Sequence, residues 1–388
     1  MKVVICGAGI AGLTLANRLS RLGNDVVVIE HAPGPRTQGY MIDFFGPGYD
    51  AVEAMGLLPA VEAVAYHLDE ASLLDEHGRR RAGVRPEQFA DGPLLDVMRP
   101  DLERVLREHL PPEVEVRFGT SLTGVADHGD HVHVELDDGD RLDADLLVGA
   151  DGIHSAVREL VFGPERQFVR YLGFHTAAFL FDSPEVHAAV RGRACLTDTV
   201  DRQMGFYGLR DGRVAAFAVH RTADPAVPED IRSAVRATYG DLGWTVPVAL
   251  EHCPSASEIY YDQVAQITMP TWSRGRVVLV GDACYAVSLI AGQGASLAVA
   301  GAYVLADRLA TATSVDQALA DYEAVWRPVA EEKQRIGRSG ARWFLPRSAF
   351  QLWLRRVVLR LARLPVLDRW VATVLVGKST PLIVTSRS

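Results

Sequence analysis

Residues 7–12, Gly7-Ala8-Gly9-Ile10-Ala11-Gly12, place glycine at the first, third and sixth positions of a short loop. In such a loop the first glycine permits a tight turn, the second lets a pyrophosphate approach the backbone, and the third lets a helix pack closely on the preceding strand. The amides of Ile10 and Ala11, with the helix dipole behind them, would then face the phosphates. Glu30 lies 21 residues beyond Gly9, where an acid accepts hydrogen bonds from ribose hydroxyls; it suits the unphosphorylated ribose of FAD or NAD better than that of NADP. A second stretch, GDACYAVSLIAGQG over 281–294, sets an acid behind one glycine and closes on a glycine pair around Gln293. Its composition is that of backbone built to approach a flat or charged ligand.

The elements needed to position the first loop are legible around it. Residues 2–6 form an apolar strand, Leu13, Leu15, Ala16, Leu19 and Leu22 recur at helical spacing, and DVVVIE at 25–30 is a second apolar strand. Strand, turn, helix and strand within 30 residues make a βαβ unit. Farther on, VEVRF and HVHVEL read as strands, and Asp138-Gly139 marks a hairpin. Between about 168 and 270 the runs HTAAFLF, RQMGFYGL and RVAAFAVH suggest an inserted, mostly antiparallel sheet, with a helix near Ile231 to Tyr239. The chain returns to a buried strand at GRVVLVGDA, and a helix follows from about Ala295 to Leu309. The expected organisation is α/β: a discontinuous dinucleotide domain at 1–167 plus 271–335, a substrate domain at 168–270, and a helical tail at 336–388.

The chain has 388 residues, 48% of them hydrophobic and 23% charged, enough for two cores. Cys6, Cys195, Cys253 and Cys284 form no C-x-x-C pair, so neither a disulfide framework nor a metal site is suggested, and a reducing, cytoplasmic setting is expected. The apolar amino terminus reads as retained structure rather than a secretory signal, and no segment reaches the ~18 uninterrupted apolar residues of a membrane span. Residues 336–388 carry ten basic side chains against one acid, +9, which leaves the rest of the chain at -18. Phe350, Trp353, Leu354, Val357, Val358, Leu361 and Leu364 follow helical spacing there, with Arg355, Arg356, Arg360 and Arg363 on the other side. This amphipathic tail is expected to pack on the acidic body in preference to a membrane surface. No nucleic-acid partner is indicated.

Three further stretches carry a family resemblance that covers roughly residues 1–330. GADGIHSAVR (Gly149 to Arg158) resembles the D-G-x-x-S-x-V-R motif of the class A flavoprotein monooxygenases, the p-hydroxybenzoate hydroxylase and tetracycline-inactivating monooxygenase group. GRVVLVGDA with AGQG is similar to that family's G-D motif, and MRPDLERVL to its R-x-x-L-x-x-x-L segment. The resemblance implies a Rossmann-like FAD-binding domain of the GR2 type and non-covalently bound FAD. It further implies NAD(P)H as electron donor and O2 as co-substrate, with hydroxylation through a flavin C4a-hydroperoxide.

Carried over by motif, the resemblance makes Asp282 the acid on the ribityl chain and sets the amides of Gly292, Gln293, Gly294 and Ala295 against the isoalloxazine O2/N1 edge. A helix start there would independently stabilise an anionic reduced flavin. Arg36 and Arg99 resemble the arginines that contact FAD. Asp151 matches the acid of the D-G motif and Arg158 its arginine, the candidate for NAD(P)H contact. The chain departs from the common form at Tyr285, where histidine is usual, at Ser288 to Ile290, where proline is usual, and at Ser296, where asparagine is usual. These departures leave FAD binding intact and imply a changed pocket floor.

The substrate is expected between the inserted sheet and the flavin. His175, Phe206, Tyr207 and His220 are candidate lining residues from that sheet, and Asp43, in YMIDFFGPG, is a candidate from a flavin-near segment. A phenol would benefit from a base near its hydroxyl. The favoured substrate is a small aromatic or polyketide-like molecule. Two alternatives stand beside it: a flavoprotein reductase or cyclase acting on a prenyl or lipid-like substrate, and a non-catalytic FAD- or NAD-binding protein.

Overall fold

The computed structural model describes residues 1–85, 92–288 and 292–361, with side chains throughout except at 339–344 and 361. Expectations that concern Leu289, Ile290 and the tail beyond 361 lie outside the described residues. The fold is α/β, built on two large sheets.

The first sheet has six strands in the order Ser273–Arg274, Val277–Leu279, Leu146–Gly149, Lys2–Cys6, Asp25–Glu30, Glu115–Phe118. All neighbours are parallel except the first pair. Helices cover it, so its strands read as unbroken apolar runs. Val3, Val4, Ile5, Val28, Ile29, Leu146, Leu147 and Val148 are fully buried. At ~1.5–3 kcal/mol for each such side chain, these strands make a rigid platform for the loops at their carboxyl ends. Gly7, Ala150 and Gly281 follow three of those strands, so segments 270 residues apart in the chain converge on one edge.

The second sheet has seven strands, ordered Tyr260–Ile267, Val169–Phe181, Val214–Arg221, Arg202–Gly208, Ala194–Thr197, Ala71–Leu74, Arg80–Val84. Five come from the inserted region. The last two come from residues 71–84, well before the range read from sequence, because Ala71–Leu74 pairs in parallel with Ala194–Thr197. A parallel pairing across more than 100 residues leaves no turn signal in the chain. One face of this sheet packs on the helices Ile231–Tyr239 and Val246–Glu251 in a core of its own. The Asp138-Gly139 hairpin joins Val132–Leu136 to Arg141–Ala144.

Between the sheets, Met41–Phe45 and Leu94–Met98 form a two-stranded ribbon. The helix Gly294–Thr311 crosses the helix Pro47–Ala54 closely: a Cβ on Gly48 would lie 2.5 Å from the Cα of Ser296. The Ser296 hydroxyl accepts from the Phe45 amide at 3.2 Å. A small residue at 296 therefore serves this crossing. The helix Val315–Phe344 follows, and Ala349–Leu361 docks its Arg355 and Arg356 on the buried Asp198 carboxylate. No helix of the described residues is long and apolar enough to cross a membrane.

Candidate functional site

Two connected cavities lie along the carboxyl edge of the six-stranded sheet. The smaller, about 70 Å³, is lined by Gly7, Gly9, Glu30, Arg36, Arg99, Glu103 and Asp151 among others. Gly7 adopts φ +110°, and a Cβ there would come within 2.5 Å of the Ala150 carbonyl oxygen. On Gly12 a Cβ would sit 1.9 Å from the Gly7 carbonyl oxygen, so this glycine is the packing contact between helix and turn. Gly9 differs: a Cβ there would meet only Glu103 Oε1, at 3.8 Å, which leaves open space before the uncapped start of the helix Ile10–Arg21. Glu30 accepts from the amides of Ala8 and Ala32, each at 2.9 Å, and so ties the end of its strand to the glycine turn. Arg99 lies 2.8 Å from Glu103, whose carboxyl burial pushes up.

The larger cavity, about 330 Å³, shares Gly9, Arg99, Ala150 and Gly152 with the smaller one. Its floor is made by Ile10, Ala11, Asp43, Asp282, Ser288, Gly292, Gly294 and Ala295. Gly281, at φ +69°, turns the chain so that Asp282 opens the short helix Asp282–Tyr285. Asp282 is reached through the cavity, yet the surrounding protein desolvates it and raises its pKa, opposed by Arg99. The helix Gly294–Thr311 begins at the cavity without a side-chain cap, and a Cβ on Gly294 would meet nothing within 4 Å. Gln293, its N-cap residue, is buried. Tyr285 points away from this floor, into a cluster with Trp272 and Trp326; Gly301 makes room for its hydroxyl.

The roof is one face of the seven-stranded sheet. Strand alternation brings Thr176, Phe217, Tyr207, Tyr260 and Asp262 to the cavity. His175 and His220 sit directly opposite each other one residue out of phase, and they face the other way. His175 Nδ1 is 3.0 Å from the Tyr261 hydroxyl and His220 Nδ1 is 3.0 Å from that of Tyr239. Burial holds His220 neutral, its pKa down to about 4. Phe206 borders the cavity along its strand, but its ring packs with Phe181 and Trp244 in the core behind the sheet. Of the five candidate lining residues, the structure thus brings the Tyr207 and Asp43 side chains to the cavity. The Tyr207 hydroxyl accepts from the Met41 amide at 2.6 Å. Thr176, Tyr260 and Asp262 were missed; the opposite phase of its strand could have found Thr176, whereas Tyr260 and Asp262 lie on Tyr260–Ile267, a strand not read from the sequence.

The D-G segment is a knot of internal bonds. Asp151 accepts from the Ser155 hydroxyl at 2.5 Å and the Val157 amide at 3.1 Å. Arg158 is fully buried and donates to the carbonyls of Ala283 (2.9 Å) and Ile153 (2.7 Å) and to Glu165 (3.0 Å). It therefore fastens the D-G loop to the G-D loop, and its guanidinium offers no surface to a nicotinamide. The exposed cation on this segment is His154, paired with Glu165 and Asp262, with Asp262 the larger influence in raising its pKa to about 9.

These residues suit FAD. Gly9 and Gly294 face open space at two helix starts, Glu30 and Asp282 are acids for hydroxyl groups, and the two cavities that hold them share Gly9, Arg99, Ala150 and Gly152. The comparisons with known proteins agree. Residues 1–335 match the family described as FAD binding domain. An uncharacterized protein of Mycobacterium tuberculosis is 35% identical over 348 residues, covering 86% of this chain and 91% of its own length. A flavin-dependent monooxygenase of an unknown prokaryotic organism is 30% identical over 351 residues, covering 87% and 88%. The crystal structure of tetracycline destructase Tet(55) superposes with a TM-score of 0.83 at 26% identity, over 98% of each chain.

Proposed function

The chain belongs to the FAD binding domain family and is an FAD-dependent monooxygenase, and from that premise we propose that it takes electrons from NAD(P)H and hydroxylates a small aromatic or polyketide-like molecule. The observation that carries this reading is the pair of joined cavities, one ending at Glu30 and the other at Gly294. When bound, FAD supplies the acceptance of hydride and the activation of O2 for transfer of one oxygen atom.

The chain's own residues bind, orient and shield. The amides that open the helix at Ile10 and Ala11 hold the pyrophosphate, and Glu30 takes the adenosine ribose. Arg36 and Arg99 offset the charge along the cofactor, and Asp151 braces the D-G loop through Ser155 and Val157. Asp282 accepts from the ribityl hydroxyls. The start of the helix at Gly292, Gln293, Gly294 and Ala295 stabilises negative charge on the reduced ring. Residues 1–167 and 271–335 do this work, while the sheet of 168–270, joined by 71–84, closes over the ring and keeps water from it.

The name of Tet(55) supports a fused-ring, polyketide-like substrate, and the aromatic roof of Phe217, Tyr207 and Tyr260 suits a planar one. The test is NAD(P)H oxidation by purified holoenzyme with tetracycline and a panel of simple phenols. Compound-dependent oxidation with a hydroxylated product is expected; oxidation at one unchanged rate across all compounds contradicts the proposal.

A further inference from the structure

Asp43 and Asp96 are directly opposed in the ribbon formed by Met41–Phe45 and Leu94–Met98, so their side chains leave the same face. Asp96 is 7% exposed, and Asp43 lines the larger cavity. Directly opposed residues of an antiparallel ribbon hold their side chains beside each other, and two neighbouring carboxyls withdrawn from solvent resist ionising together, so one proton is held between them. No cation adjoins either acid among the described residues. Tyr66 lies opposite Asp96 and Tyr207 beside Asp43; these are the titratable groups that face the pair, and burial raises both phenols and keeps them neutral. Arg210 lies over the far side of the Tyr66 ring, donating to the carbonyls of Val64 and Ala65.

A second observation in the same cavity points to a ligand. The Ser288 hydroxyl is buried, lines the cavity and has no hydrogen-bond partner, on a residue held at φ +94°. A buried hydroxyl without a partner costs ~1–3 kcal/mol, and an atom from a ligand would satisfy it. Asp43 stands at the same floor: a Cβ on Gly292 would lie 3.6 Å from its Oδ2.

We propose that Asp43 and Asp96 act as one proton-holding unit in the cavity wall, which takes the proton from an acidic hydroxyl, a phenol or an enol, on the substrate. This rests on the monooxygenase reading and names the feature its substrate must carry. In the step, the substrate O–H bond breaks and an O–H bond forms on Asp43. The electron pair stays on the substrate oxygen, and nothing is oxidised or reduced. Proton uptake restores the singly protonated pair, so the proton shared between the acids favours the transfer. The negative charge left on the substrate oxygen enriches the ring carbon that is to be hydroxylated. Burial first, and then the neighbouring Asp43 charge, push the Asp96 carboxyl up toward neutrality, the range in which a general base is most effective. Asp43 is the catalytic residue; Asp96 positions its proton.

The test has a substrate-free arm and a turnover arm. In holoenzyme carrying carboxyl-labelled aspartate, carbon NMR from about pH 5 to about pH 9 should show two carboxyls titrating together near neutrality, far above the ordinary aspartate value of ~3.9. Asp96→Asn should leave a single carboxyl, Asp43, titrating alone below the pair, and Asp43→Asn should remove the pair. In turnover, with tetracycline or a phenol that drives NAD(P)H oxidation, kcat/KM should rise with pH through the pair's titration. Asp43→Asn should lower it about 100-fold, and Asp96→Asn should move the rising limb to lower pH. If no carboxyl titrates near neutrality, or if Asp96→Asn lowers the rate equally at every pH with the limb unmoved, the proposal is overturned. If no compound drives turnover, the monooxygenase reading fails, while the NMR arm still decides whether the pair exists.

Discussion

Replacing Arg158 with leucine separates two roles for the arginine of the D-G segment. Its guanidinium is fully buried and donates to the carbonyls of Ala283 and Ile153 and to Glu165. Leucine leaves both carbonyls without that donor and releases the D-G loop from the G-D loop. At ~1.5–3 kcal/mol for each hydrogen bond from a charged group, the two carbonyl bonds alone are worth about 3–6 kcal/mol. An unfolding entropy of ~2.1 cal/mol/K per residue gives about 0.8 kcal/mol/K for this length, so the melting temperature should fall by roughly 4–7 °C. The fall should appear in calorimetry of the apoprotein, with weaker FAD binding measured by fluorescence and little change in the KM for NAD(P)H. Arg158→Lys should recover less than half of the loss, since one amine cannot reach both carbonyls. An unmoved melting curve together with a rise confined to the NAD(P)H KM would refute the clamp and return Arg158 to nicotinamide contact.

Other outcomes can be checked on the same protein. Gly12→Ala forces a Cβ to 1.9 Å from the Gly7 carbonyl and should yield colourless protein; Gly294→Ala, with open space around it, should fold normally yet bind FAD about tenfold more weakly by fluorescence titration. His154, raised to about 9 by Asp262 and Glu165, stabilises the fold fully below its unfolded value of ~6.5, and this contribution is lost as pH rises through about 9. His154→Ala should therefore remove a small decline in melting temperature over that window. Asp198→Ala leaves Arg355 buried without its carboxylate and should speed tryptic cleavage after Arg355 and Arg356 by about tenfold or more, equivalent to ~1.4 kcal/mol of lost docking.

Elements with local signals were readable from the chain: the glycine turn between apolar strands, the Asp138-Gly139 hairpin, the inserted sheet, and the amphipathic helix that the structure places at Ala349–Leu361. Features that depend on pairing between distant segments were not. The seven-stranded sheet is covered on both faces, so its strands show no polar side from which to choose a phase; that is why His175 was picked in place of its neighbour Thr176, while Tyr260 and Asp262 lie on a strand that was not read from the sequence. The addition of Ala71–Leu74 to Ala194–Thr197 and the opposition of Asp43 to Asp96 are both matters of register between strands far apart in sequence. Arg158 was a candidate for NAD(P)H contact because nothing in its own segment announces that Ala283, 125 residues on, accepts from its guanidinium.

Oxygen incorporation tests the central claim most directly. Purified yellow holoenzyme is supplied with NAD(P)H, isotope-labelled dioxygen and a compound that accelerates NAD(P)H oxidation, and the product is weighed by mass spectrometry. One labelled oxygen atom per product molecule is expected. A product without label, or protein that holds no flavin, would contradict the account.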